Sequence, residues 1–114
     1  MAVSTTYTFI IRHESSELGS TIPGVSPSDA IINKYPFTLK IVGHTHLYEH
    51  KSYAKEVVVG NGGAPLTGTS NFGYALVSQR SDGAIVVDMY DYATRAADGA
   101  FHFAVKADGS AAAP

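Results

Sequence analysis

The sequence predicts a β-dominated α+β domain with about six strands and one helix. Three observations carry this. Short apolar runs rich in β-branched and aromatic residues alternate with Gly-, Ser- and Pro-rich segments. Ser81-Asp82-Gly83 lies between two such runs, as a hairpin turn does. One stretch alone, from Ser26-Pro27-Ser28-Asp29 onward, opens as a helix opens. At 114 residues the chain is one domain at most.

Tyr7 to Arg12 is aromatic and β-branched, which favours a largely buried strand. The loop from Glu14 to Val25 is rich in Ser, Gly and Pro. Proline in a first helical turn loses no backbone hydrogen bond, so Pro27 to Lys34 reads as the helix, stopped by Pro36. Thr38 to Val42 is the second strand. Lys55 to Val59 is the third, ending in Gly60-Asn61-Gly62-Gly63, whose glycines permit positive φ and close backbone approach. Gly73 to Gln79 and Ala84 to Tyr90 are the arms of the hairpin. Ala100 to Lys106 is a last strand before Asp108-Gly109 and a small-residue tail, Ser110 to Pro114, which is expected to fray.

Composition removes several function classes. A hydrophobic content of 45% argues against disorder, and a formal net charge of -2 gives no electrostatic case for nucleic acid or an anionic membrane as partner. No apolar stretch approaches the roughly 20 residues of a membrane span, and Met1 to Thr6 lacks the basic segment of a signal peptide. The absence of cysteine removes disulfides and thiolate metal sites together, without fixing the compartment. No Gly-x-Ser-x-Gly elbow, Walker loop or dinucleotide fingerprint occurs. Glu14, Glu49, Asp82, Asp88 and Asp91 are scattered, with no pairing suited to glycoside chemistry. Asp88-x-x-Asp91 spacing sends the two side chains to opposite faces of a strand, so it reads as a solvated strand end.

The chemistry concentrates in Val42-Gly43-His44-Thr45-His46, which directly follows the apolar run Thr38-Leu39-Lys40-Ile41-Val42. Two imidazoles one residue apart at a strand end place two metal ligands in a small volume, and histidine is the commonest protein metal ligand. A preceding glycine lets the backbone turn sharply. His13 ends another apolar run, so two strand ends can converge on one site.

Ile10-x-x-His13, then Gly43-His44-Thr45-His46, then a strand ending in Gly60-Asn61-Gly62-Gly63-Ala64-Pro65-Leu66, resembles the carboxyl-terminal half of a calcineurin-like metallophosphoesterase. Gly-His-x-His-x-Tyr-Glu from Gly43 to Glu49 is most similar to the purple-acid-phosphatase branch, although His50 stands where that branch usually carries arginine. The resemblance spans roughly Tyr7 to Tyr92. It implies a four-layer α/β/β/α sandwich with two mixed sheets, to both of which this half supplies strands, and with the helix on an outer layer. It also implies a metal-dependent phosphoric ester hydrolase using Zn, Mn or Fe, in which His13 and His44 ligate one metal and His46 the other.

The family's Asp-x-His or Asp-x-Gly block, its Gly-Asp block with the bridging aspartate, and its Gly-Asn-His block all precede the His13 equivalent and are absent here. Two cations roughly 3.5 to 4 Å apart need anionic bridging ligands, which three neutral imidazoles do not supply. The expectation is weak binding of one ion, or none, and no turnover by this chain alone. The missing groups would come from an upstream half of the domain or a second copy of the chain, and the substrate would be a phosphate ester.

Blander readings stand beside these. His44 and His46 can cap loop carbonyls, and His13 can be a hydrogen-bonded, partly buried histidine. Tyr48 and Glu49 can support the histidines or simply pack and solvate the surface. His102 falls outside every motif and reads as structural. Gly60 to Gly63 can line a phosphate mouth or form only a tight turn. The alternative function is a non-catalytic β-rich binding module that retains the histidines as relics.

Overall fold

The computed structural model describes residues 6–68 and 71–114, and for 98–100 the backbone alone. Of Met1 to Thr6, the segment read as lacking a signal peptide's basic stretch, residues 1–5 lie outside the described residues. The chain folds as β1 (Phe9–Ile11), α1 (Val25–Ile32), β2 (Leu39–Val42), β3 (Tyr48–Lys51), β4 (Glu56–Val59), β5 (Gly73–Gln79), β6 (Ile85–Asp91), β7 (Ala97–Val105) and β8 (Ala111–Ala112). Short 3-10 turns lie at Ser16–Leu18 and Ser52–Ala54. This is an α+β fold, mostly strands, with one α-helix among the described residues. Among the described residues, no helix is long and apolar enough to cross a membrane.

The strands form two sheets, ordered β1-β2-β4-β3 and β5-β6-β7-β8. In the first, β1, β2 and β4 run parallel and β3 is antiparallel to β4. The second is antiparallel throughout, so only one of the two expected mixed sheets is mixed. Parallel pairing puts the carboxyl ends of β1, β2 and β4 on one edge, where ligands bind in open α/β sheets.

The core lies between the sheets. Leu39, Tyr48 and Val57 of the first pack against Ile85, Val87, Met89, Phe103 and Val105 of the second. The other face of the first sheet carries charge. Buried Lys40 and Lys51 pair with Asp29 at 3.4 Å and Glu17 at 2.7 Å. Buried Glu56 accepts from the Ser15 hydroxyl at 3.0 Å and the Ser16 amide at 3.1 Å. Burying charge is costly unless each group is paired, so this network ties α1 and the turn at Ser16–Leu18 to the sheet in a defined place.

Local chemistry explains the elements that match the sequence and those that differ. Gly83 adopts φ 91, the Arg80 amide donates to the Ala84 carbonyl at 2.8 Å, and Asp82 Oδ1 accepts from the Ala84 amide at 3.1 Å, closing the expected hairpin. The helix begins at Val25 and ends at Ile32, after which the Lys34 and Tyr35 amides tighten onto the carbonyls of Ile31 and Ile32 before Pro36.

One expectation is corrected, and two strands lie outside the expected six. β1 is not largely buried: it is an edge strand with Phe9 39% and Ile11 73% exposed. β8, within the tail, pairs Ala111 with Val105 and Ala112 with Ala104 of β7. β3, polar in sequence, is a strand because Tyr48 and Lys51 are buried and its backbone completes the β4 ladder.

Candidate metal centre

His13 and His44 each stand two residues beyond a strand, β1 and β2 respectively. The Gly43 amide donates to the His13 carbonyl at 2.8 Å and the Arg12 amide to the Ile41 carbonyl at 3.1 Å, so the parallel ladder continues into the site. Arg12 anchors this end further. Its guanidinium reaches the Glu14 carbonyl at 2.7 Å, Ser28 Oγ at 2.8 Å and Asp29 Oδ1 at 2.7 Å, fastening the His13-Glu14 segment to α1.

The result is a close histidine pair. His13 Nε2 and His44 Nδ1 lie 3.2 Å apart, with ring planes at 90°. Two nitrogens each ~2.1 Å from one tetrahedral zinc stand about 3.4 Å apart, so the pair is spaced as two ligands of one ion are. Glu14 joins them: among the described residues, the ligand atoms of His13, Glu14 and His44 form a group within 4.8 Å of one another. The scattered-carboxylate reading missed Glu14, whose signal was its place directly after His13. Its carboxylate brings negative charge that the three imidazoles lack.

His46 is placed differently. Its Nδ1 lies 2.8 Å from the Pro65 carbonyl. A carbonyl only accepts, so Nδ1 carries the proton and the Nε2 lone pair is left for another partner. His46 is outside the His13–Glu14–His44 group but lines the same hollow, a space of about 400 Å³ walled by His13, Gly43, His44, His46, Val59, Gly60 and Gly62.

The sharp turn falls on a residue other than the expected one. Gly43 has no positive φ, and a Cβ there would make ordinary contacts of 3.8 Å and beyond. His44 itself is left-handed, at φ 68. Such a conformation is strained for a residue with a Cβ, and strain of this kind clusters at ligand sites. The glycine that close approach demands is Gly60, where a Cβ would collide with the Thr45 carbonyl. The Gly60 amide donates to the Leu47 carbonyl at 2.8 Å and the Thr67 amide to the His46 carbonyl at 2.7 Å, holding the histidine loop against the end of β4.

Comparison with protein-family models, curated proteins and solved structures finds no match to this chain.

The remaining candidates sit elsewhere. Tyr48 is buried in the core and donates to the Phe101 carbonyl at 3.3 Å; burial, then the nearby Asp88 carboxylate, push its hydroxyl pKa up. Glu49 is exposed and lies 3.8 Å from Lys51. His50 stacks on Phe103 with centroids 3.5 Å apart, and burial lowers its pKa. His102 Nδ1 meets Asp88 Oδ1 at 2.5 Å across β6 and β7, so Asp88 is a paired group and not a solvated strand end. Asp91 caps the following turn, accepting from the Ala93 and Thr94 amides at 2.8 and 3.1 Å.

Proposed function

We propose that this chain carries one side of the metal centre of a metal-dependent phosphoric ester hydrolase, of the calcineurin-like type and nearest its purple-acid-phosphatase branch. The observation that carries the reading is the 3.2 Å approach of His13 Nε2 to His44 Nδ1 at the aligned ends of parallel strands. The donor set fits a Zn, Mn or Fe ion: two imidazole nitrogens and a neighbouring carboxylate, with His46 offering Nε2 to a second cation. A bound divalent ion supplies Lewis acidity toward a phosphoryl oxygen and a hydroxide near neutral pH. The protein's part is to hold the imidazoles in place through Arg12, the Gly43 amide and the Pro65 carbonyl, and to keep the hollow open for a phosphate group.

One carboxylate does not balance two cations. The bridging groups would come from an upstream half of the domain or from a second copy of the chain. Bare apolar surface supports such a partner. β1 is an edge strand bearing Ile11, with Ile31 61% exposed on α1, and the face of the second sheet away from the core carries exposed Tyr74 and Leu76. On this reading a further helical layer covers that face beyond Tyr74, whose ring stays open at the margin, giving the four-layer sandwich.

The test is turnover. A polypeptide extended upstream with Asp-x-His, Gly-Asp-x-x-Asp and Gly-Asn-His blocks should hydrolyse phosphate esters with Zn, Mn or Fe, while these 114 residues alone should show negligible rates. His44→Ala or His46→Ala should abolish most activity of the longer enzyme. Full activity in either variant would overturn the ligand assignment, and inactivity of both polypeptides on a broad ester panel would favour a non-catalytic module.

A further inference from the structure

A second hollow adjoins the histidine-lined one. It is lined by Gly62, Gly63, Phe72, Gly73, Tyr74 and Tyr92, and encloses about 570 Å³. Gly62 lines both spaces, so the two are neighbours at that residue. Three of the six walls are aromatic, and all three rings are accessible, with Phe72 40%, Tyr74 53% and Tyr92 72% exposed. The glycine wall is open, since a Cβ at Gly62 or Gly63 would meet no atom within 4 Å.

The slot is also fixed to the metal-site loop by hydrogen bonds. The Gly73 amide donates to the Asn61 carbonyl at 3.0 Å, and buried Asn61 donates through Nδ2 to the Asn71 carbonyl at 2.8 Å. The Tyr92 amide donates to the Phe72 carbonyl at 2.8 Å, and Tyr74 is stacked on Tyr90, centroids 5.4 Å apart and planes 6° from parallel. Asn61 sits between Gly60 and Gly62, so one residue couples the phosphate side to the aromatic side. Accessible rings beside glycines without side chains form a site for a flat, apolar group that gains by stacking and by leaving water.

We infer that this slot is a subsite for a planar aromatic group on the phosphate ester, so that aryl esters are the preferred substrate class. The inference rests on the proposed hydrolase reading for its phosphate end; the aromatic end rests on the slot alone. Methyl phosphate and other small alkyl esters carry nothing to fill the slot, and the preference follows from that difference.

The experiment is a metal-free titration of the 15N-labelled chain with phenyl phosphate, with methyl phosphate as control. Phenyl phosphate should shift the amides of Gly62, Gly63, Phe72, Gly73 and Tyr92, and methyl phosphate should leave them in place. Tyr92→Ala, at an exposed position, should weaken phenyl phosphate binding about tenfold, the loss of roughly one stacking contact, and Gly63→Val should weaken it by filling the open space beside the rings. Neither should change zinc binding. Equal shifts with the two phosphates, shifts confined to other residues, or unchanged affinity in both variants would overturn the subsite. A separate zinc titration reports on the histidines, so absence of zinc binding with the aromatic shifts intact would overturn the metal reading and leave the aromatic slot standing.

Discussion

Adding one methyl group at Gly60 and one at Gly43 should have opposite effects. At Gly60 the new Cβ would overlap the Thr45 carbonyl, which is backbone and can move only if the loop from Gly43 to Leu47 moves with it. Overpacking of this kind costs typically 1–3 kcal/mol, so ~3 kcal/mol is expected against an unyielding carbonyl. At Gly43 the nearest atoms would be the His13 and Val59 carbonyls at 3.8 and 3.9 Å, ordinary contact, and φ is not positive. Gly43→Ala should therefore gain about 0.5 kcal/mol by restricting the unfolded chain. Urea unfolding separates the variants by ~3 kcal/mol, and with m of about 1–2 kcal/mol/M their midpoints should differ by more than 1 M. Gly60→Ala should also weaken zinc binding by displacing His44 and His46, while Gly43→Ala should preserve it. A Gly60→Ala variant as stable as the parent, or a Gly43→Ala variant equally damaged, would refute the assignment of close approach to Gly60.

Three further outcomes follow from charge and exposure. Burial holds the His50 pKa below its ordinary 6.5, so its stability contribution is present above 6.5 and lost as pH falls through the lowered value; His50→Gln should flatten that part of a pH-dependent urea series. Asp29 loses some charge stabilisation to burial but gains more from Arg12, Ser16 and Lys40, so its pKa lies below 3.8. Its contribution holds above 3.8 and disappears as pH drops through the folded value, and Asp29→Asn should remove that acid limb while lowering stability at neutral pH. An exposed edge strand and apolar surface promote pairing, so the chain should self-associate at high micromolar concentration and Ile11→Lys should shift it toward monomer in light scattering; a parent that is already monomeric would contradict the open-edge reading.

The elements legible in the sequence were those set by local chemistry. β5 and its hairpin partner followed from alternation and from Ser81-Asp82-Gly83, because the turn geometry depends on those residues themselves. What depended on distant neighbours was hidden. Ile10 and Ile11 look like core residues, yet β1 has one strand beside it and Ile11 faces out. Tyr48-Glu49-His50-Lys51 carries no strand signal in sequence, yet its pairing with β4 makes it a strand, and buried Lys51 meets Glu17 and Ser15. At the site, convergence of His13 and His44 was legible from strand order, whereas the left-handed turn at His44, the Pro65 carbonyl behind His46 and the nearness of Glu14 arise from loop paths that spacing does not encode.

Zinc titration of the 114-residue chain by calorimetry, with His13→Ala and His44→Ala beside it, tests the central claim most directly. The parent chain should bind one zinc weakly. Each substitution should remove it, because one imidazole and Glu14 leave too few ligands to compete with water. Binding in either variant with the affinity and stoichiometry of the parent would contradict a centre built on the His13 and His44 pair.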